Sequence, residues 1–218
     1  MENRTTKISR LLKAYHAYLE SSDTAQFIAA IARNYTTATL VALLERTDIL
    51  HSRAAALALG FVGDISCQES LGKMLSSSDR RLRLVSDDSL RAIMSRDGSD
   101  EQRLMLEKII RLNECCLYEE ALISSDLLLE KAPRFTEAYN QRALAWFHLH
   151  NYEKSIQDCR QVLQLSHYHY GAWIGLGHCL IEMGDVWGAL DSFRKAVAIY
   201  PDLEPVRVQI RNLERSLQ

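Results

Sequence analysis

The chain has 218 residues, 47% of them hydrophobic, which is enough for a substantial buried core in one or two domains. Its formal charge is −2, from 26 basic and 28 acidic residues, so no large field draws it to nucleic acid or to an anionic membrane. Only nine glycines and three prolines occur among abundant Ala, Leu, Glu, Arg and Ser, a balance that predicts an all-α fold.

The opening stretch, MENRTTKISRLLK, is charged and lacks the apolar core of a secretory signal. Uncharged apolar stretches such as residues 54–63 run about ten residues. A bilayer span needs roughly 20. The expectation is a soluble cytoplasmic protein with no membrane partner. Residues 7–35 predict a helix pair broken at Ser21-Ser22-Asp23. Asp23 and Asp48 are expected at helix starts, where a carboxylate meets unpaired amides.

Residues 36–96 repeat with a period of 31. Leu40, Leu43, Leu44, Asp48, Ala58, Leu59 and Val62 return as Leu71, Met74, Leu75, Asp79, Ser89, Leu90 and Ile93. The segment LLERTDILHSRAAALALGFVGD combines an apolar helix, an Asp turn, an Arg and an Ala-rich helix ending in Gly-x-x-Gly-Asp. It resembles the short HEAT repeat also found in phycobilisome lyase subunits, which implies a HEAT-like region over residues 1–97. The basic run at residues 79–83, with Lys73, Arg91 and Arg96, reads as a solvated face offset by Asp79, Asp87 and Asp88.

Residues 95–100 are the most polar and turn-rich interior stretch, and too short for a flexible linker. Two solenoids are therefore expected to abut, helices 1–6 feeding into 7–13. Up to Gly98 there are 13 basic and 11 acidic residues, and beyond it 13 and 17, so neither part is a polyelectrolyte.

From residue 102 the period becomes 34: Ala121, Ser155 and Ala189 align, as do Tyr118, Tyr152 and Val186, and Pro133, His167 and Pro201. A period of this size means stacked supersecondary units. The clearest unit, residues 170–203, carries Trp173, Leu176, Gly177, Gly184, Asp185, Ala189, Phe193, Ala196 and Pro201. Trp173, Leu176, Gly177 and Leu180 mark one helix face, and Pro201 ends the second helix. These residues resemble the tetratricopeptide repeat, with Leu180 in place of its usual Tyr. Residues 136–169 keep Tyr139, Ala143, Trp146, Tyr152 and Val162, and residues 102–135 keep Tyr118, Ala121, Leu128 and Pro133. The resemblance implies a tetratricopeptide region over 98–218 with repeats at 102–135, 136–169 and 170–203. A capping helix at 204–217 is expected to pack through Val206, Val208, Ile210, Leu213 and Leu217. The whole is then two fused helical-hairpin solenoids forming an α-α superhelix.

No catalytic, metal or cofactor site is expected. The seven histidines and five cysteines lack zinc-ligand spacing, and His178 and Cys179 diverge by about 100° on a helix. Cys67, Cys115, Cys116, Cys159 and Cys179 read as reduced thiols serving as small core residues. No G-x-S-x-G or Gly-rich phosphate loop occurs, so the protein is read as a non-enzyme.

In the tetratricopeptide family the first helix of each repeat lines a concave groove through positions 2, 5, 9 and 12. The resemblance therefore implies a partner-binding groove of Arg103, Leu106, Ile110 and Asn113, then Glu137, Asn140, Leu144 and Phe147, then Gly171, Ile174, His178 and Ile181. The Lys and Arg residues by which related grooves clamp a peptide carboxylate are missing. A groove of this kind is apolar, with one central amide and one imidazole. The implied role is a scaffold or adaptor for a protein or peptide partner. A chaperone-like subunit of a lyase-type enzyme and a self-associating module forming homo-oligomers stay open as alternatives.

Overall fold

Polar caps divide the chain into short helices. The computed structural model describes residues 9–45 and 48–217, which hold thirteen α-helices, one 3-10 turn and no strand. The expected all-α fold is thus what the described residues adopt. The first eight residues, Arg46 and Thr47 of the segment expected to be HEAT-like, and Gln218 lie outside them. Among the described residues no single helix is long and apolar enough to cross a membrane. The chain divides between Ile93 and Met94 into two compact units.

The first unit contains α1 (Arg10–Ser21), α2 (Thr24–Asn34), α3 (Thr37–Leu44), α4 (Ile49–Val62), α5 (Gln68–Met74) and most of α6 (Arg80–Ser95). The helix break falls at residues 21–23: Ser22 takes a left-handed conformation, and Asp23 accepts from the Gln26 amide at 2.9 Å. Asp48 likewise accepts from the Leu50 amide at 3.0 Å. Ala54, Ala55, Ala56 and Ala58 are fully buried in α4, so small side chains admit close neighbours on several sides. Tyr18, Phe27 and Phe61 form an aromatic trio with centroids 5.1–5.8 Å apart. Asp79 receives a two-pronged ion pair from Arg53 and also caps α6 through the Leu82 amide at 2.7 Å. Asp48 and Asp79, 31 residues apart, therefore do the same job at the starts of α4 and α6.

The second unit contains α7 (Asp100–Glu114), α8 (Tyr118–Lys131), α9 (Thr136–His148), α10 (Tyr152–Leu165), α11 (Tyr170–Glu182), α12 (Val186–Ile199) and α13 (Glu204–Ser216). Each helix packs on the next, and α9 also touches both α7 and α11, as in a solenoid of helix pairs. The first helix of each pair ends identically. Cys116 (φ 59°), His150 (φ 58°) and Gly184 (φ 80°) are left-handed, 34 residues apart. After each, the next amide reaches back five residues: Leu117 to Leu112, Asn151 to Trp146 and Asp185 to Leu180, at 2.8–2.9 Å. This is the Schellman closure, which satisfies carbonyls that the helix end leaves open.

Gly177 is where α11 meets α12. A Cβ there would lie 2.6 Å from the Phe193 ring, and Phe193 is fully buried. Val206, Ile210 and Leu213 of α13 pack on this cluster. Val208, expected on the same face, is instead 41% exposed, because a residue two positions from Val206 points elsewhere on a helix. The cysteines also divide differently from expectation. Cys67, Cys159 and Cys179 are buried, whereas Cys115 and Cys116 are exposed at the α7–α8 turn.

Candidate partner-binding groove

On α9, Asn140, Leu144 and Phe147 recur at i, i+4 and i+7 and so share one side of the helix. On α11, Gly171, Ile174 and His178, at i, i+3 and i+7, also share one side. The fold brings these six together as the walls of one cleft of about 280 Å³. Its remaining lining is Ala143, His148, Ser155, Cys159 and Gly175. These five were not among the expected residues. The glycines explain why there is space: Gly171 and Gly175, four residues apart, leave a strip of α11 without side chains. A Cβ at Gly175 would stand 3.2 Å from Cys159 Sγ, so the backbone lies close over α10. The i, i+4 spacing of the two glycines, and of Ser155 and Cys159, was the available signal.

Six other expected groove residues lie elsewhere. Leu106 is 2% exposed in the core with Ile109, Leu128 and Phe135, so it offers nothing to a partner. Asn113 is also buried, and its Nδ2 donates to the Gln141 backbone oxygen and Oε1, both at 3.0 Å. Both assignments are corrected by the same cause: α9 packs over this face of α7. Ile110 and Ile181 are half-buried against core clusters. Arg103 donates to the Gly98 carbonyl at 3.0 Å and pairs with Asp100, closing the start of its own helix. Glu137 does not line the cleft but holds a residue that does.

Glu137 Oε1 accepts from Asn140 Nδ2 at 2.8 Å and from Gln141 Nε2 at 2.9 Å, while Oε2 stands 3.5 Å from His169 Nε2. Burial acts to raise its pKa, but the hydrogen bonds from His169, Gln141 and Asn140 outweigh that, and the carboxyl lies below the usual glutamate range. His169 Nδ1 accepts from the Ala172 amide at 3.0 Å, which caps α11 and puts the ring proton on Nε2, toward Glu137. One polar chain thus ties α7, α9 and α11 together beside the cleft.

The cleft itself is uncharged. No Lys, Arg, Asp or Glu lines it. Burial holds the His178 imidazole below its usual pKa, against the opposing field of Glu182, and so favours the neutral ring. Burial pushes the Cys159 thiol up to about 12, which keeps it protonated and inert. The Ser155 hydroxyl is committed to the Ala143 carbonyl at 2.8 Å and receives the Cys179 thiol at 3.2 Å. Among the described residues no three His, Cys, Asp or Glu side chains converge as metal ligands would. The arrangement can bind an apolar group; it holds no nucleophile–base pair.

The tetratricopeptide repeat family model matches residues 170–203, the repeat that carries the glycine wall. The chain carries a tetratricopeptide-type solenoid. A TPR repeat-containing protein of Rhizobium etli is 30% identical over 97 residues, which is 44% of this chain and 48% of that protein. The chain thus spans about half the length of that curated relative. Among solved structures, the first TPR of Spaghetti (RPAP3), bound to the HSP90 peptide SRMEEVD, superposes with a TM-score of 0.53 at 18% identity. The match covers 55% of this chain and 95% of that one. The first TPR domain of human RPAP3 gives 0.51 at 17% identity, covering 53% and 91%. These likenesses are of fold. The tetratricopeptide-type repeats place α9 and α11 side by side, and the glycines of α11 make the space between them.

Proposed function

We propose that the chain is a non-catalytic scaffold that binds a protein or peptide partner in the cleft between α9 and α11, and that its first unit is a HEAT-like support. The observation that carries this reading is the convergence of Asn140, Leu144, Phe147, Gly171, Ile174 and His178 from two successive repeats on one uncharged opening. An extended or helical segment can lay apolar side chains in such a groove. The peptide seen on the Spaghetti repeat, SRMEEVD, has three acidic residues among its last four. The cleft of this chain has no cation to receive such an end, so its partner is read as apolar at the contact.

The test is selection from a displayed random-peptide library on the full chain. Selected peptides are expected to lose capture on Ile174→Asp and Asn140→Ala while the helical signal and melting temperature hold. Removing a buried amide partner costs about 1–3 kcal/mol, roughly five- to a hundredfold in affinity. Arg81→Glu with Arg83→Glu in the first unit is the control. If the arginine pair loses the peptides and the groove variants keep them, the binding face is the first unit and the reading fails.

A further inference from the structure

The polar chain beside the cleft fixes which end of the Asn140 amide is available. An ionised carboxylate only accepts hydrogen bonds, so the NH2 group must face Glu137 Oε1, 2.8 Å away. Asn140 Oδ1 takes no hydrogen bond from any described residue. Asn140 lines the uncharged cleft, and with its NH2 group held by Glu137 the carbonyl is the part of the amide left for a ligand, so a complementary ligand carries an N–H donor on an apolar body.

Resting on the groove reading above, we propose that the occupant is the indole of a partner's tryptophan, its rings over Gly171 and Gly175 against Phe147, its N–H donated to Asn140 Oδ1. Three observations favour indole over other side chains. The space, about 280 Å³, lies just below the range of pockets that enclose whole drug-sized molecules, which suits one large side chain. No charged residue lines it, so a carboxylate, phosphate, lysine or arginine would be desolvated without a partner. An indole is a donor only, and one acceptor satisfies it, whereas a phenol oxygen also needs a donor of its own.

The experiment titrates the ¹⁵N-labelled full chain with indole, 1-methylindole, naphthalene and 4-methylphenol, following the Gly171 and Gly175 amides and the Asn140 side-chain amide by NMR. Indole is expected to shift all three and to bind about three- to tenfold more tightly than the other probes, the effect of one net hydrogen bond. In Asn140→Leu, indole and 1-methylindole should become equal. The proposal is overturned if 1-methylindole, naphthalene or 4-methylphenol matches indole on the wild-type chain, with no variant needed. Absence of shifts at the two glycines at millimolar indole overturns it as well. Both failures differ from failure of the groove reading, which the peptide selection detects by loss or retention on Ile174→Asp whatever side chain the peptides carry.

Discussion

The three left-handed helix ends, at Cys116, His150 and Gly184, form a natural series for measuring what the repeat geometry costs. A non-glycine residue in this conformation is strained by about 1–2 kcal/mol, and glycine gives back roughly 0.5–1 kcal/mol through its extra freedom in the unfolded chain. Cys116→Gly is expected to stabilise by the difference, about 0.5–1 kcal/mol, since the exposed thiol it removes makes only a weak hydrogen bond with the Tyr118 hydroxyl. Gly184→Ala is the reverse change: a Cβ there meets nothing within 4 Å, so its cost of similar size is the backbone alone. His150→Gly should fall between them, because the His150 Nδ1 contact with the Tyr152 hydroxyl, 2.8 Å long, is lost with the strain. The three tryptophans, Trp146, Trp173 and Trp187, all lie in the second unit, so their fluorescence follows the unfolding of that unit. A change of 1 kcal/mol moves Tm by about 2–4 °C at this size. The ranking Cys116→Gly above His150→Gly above Gly184→Ala is the result expected. A Cys116→Gly protein that melts at or below wild type would show that the helix ends are not strained and that the geometric argument is wrong.

Removing residues 204–218 takes away Val206 and uncovers Ala189 and Phe193, so Tm should fall and oligomers appear by light scattering; an unchanged, monodisperse product refutes the capping role. His178 has its pKa lowered in the folded chain, so the unfolded chain takes up the proton first. The contribution is complete above the unfolded value, about 6.5, and is lost as pH falls through the lowered folded value. His178→Phe should therefore flatten the decline of Tm between about pH 7 and pH 5, and an unaltered slope counts against a buried neutral ring.

Local chemistry made the helix boundaries legible. Asp23 and Asp48 cap the helices they were expected to start, and the glycine and proline punctuation of residues 170–203 marks real helix ends. The cleft was legible in part, because Asn140, Leu144 and Phe147 occupy one helix face whatever their surroundings. Gly175 was missed because its i, i+4 spacing from Gly171 signals a bare strip of helix but not that Cys159 of α10 lies beneath it. Leu106 and Asn113 went the other way: their spacing matches that of the groove residues, but the packing of α9 on α7 buries them. Position along a repeat tells where a side chain points, not what stands in front of it.

Arg142 shows how the repeats trade core packing for registration. It stands 34 residues before Leu176, which is buried. In its place Arg142 grips Asp158 at 2.7 and 2.8 Å and Asp126 at 2.7 Å, tying α9 to α10 and α8. Such a partly buried ion cluster adds little net stability over a leucine, since desolvating the charges offsets their attraction. What it adds is direction, because a guanidinium fork fits two carboxylates in only one arrangement of the three helices. On another face, the Glu137 chain fixes α9 against α7 and α11. The Asn140 wall is thus anchored by directional bonds to all four neighbouring helices, α7, α8, α10 and α11. A partner entering a cleft held open in this way would not first have to order its walls, which would favour affinity from a small apolar contact area.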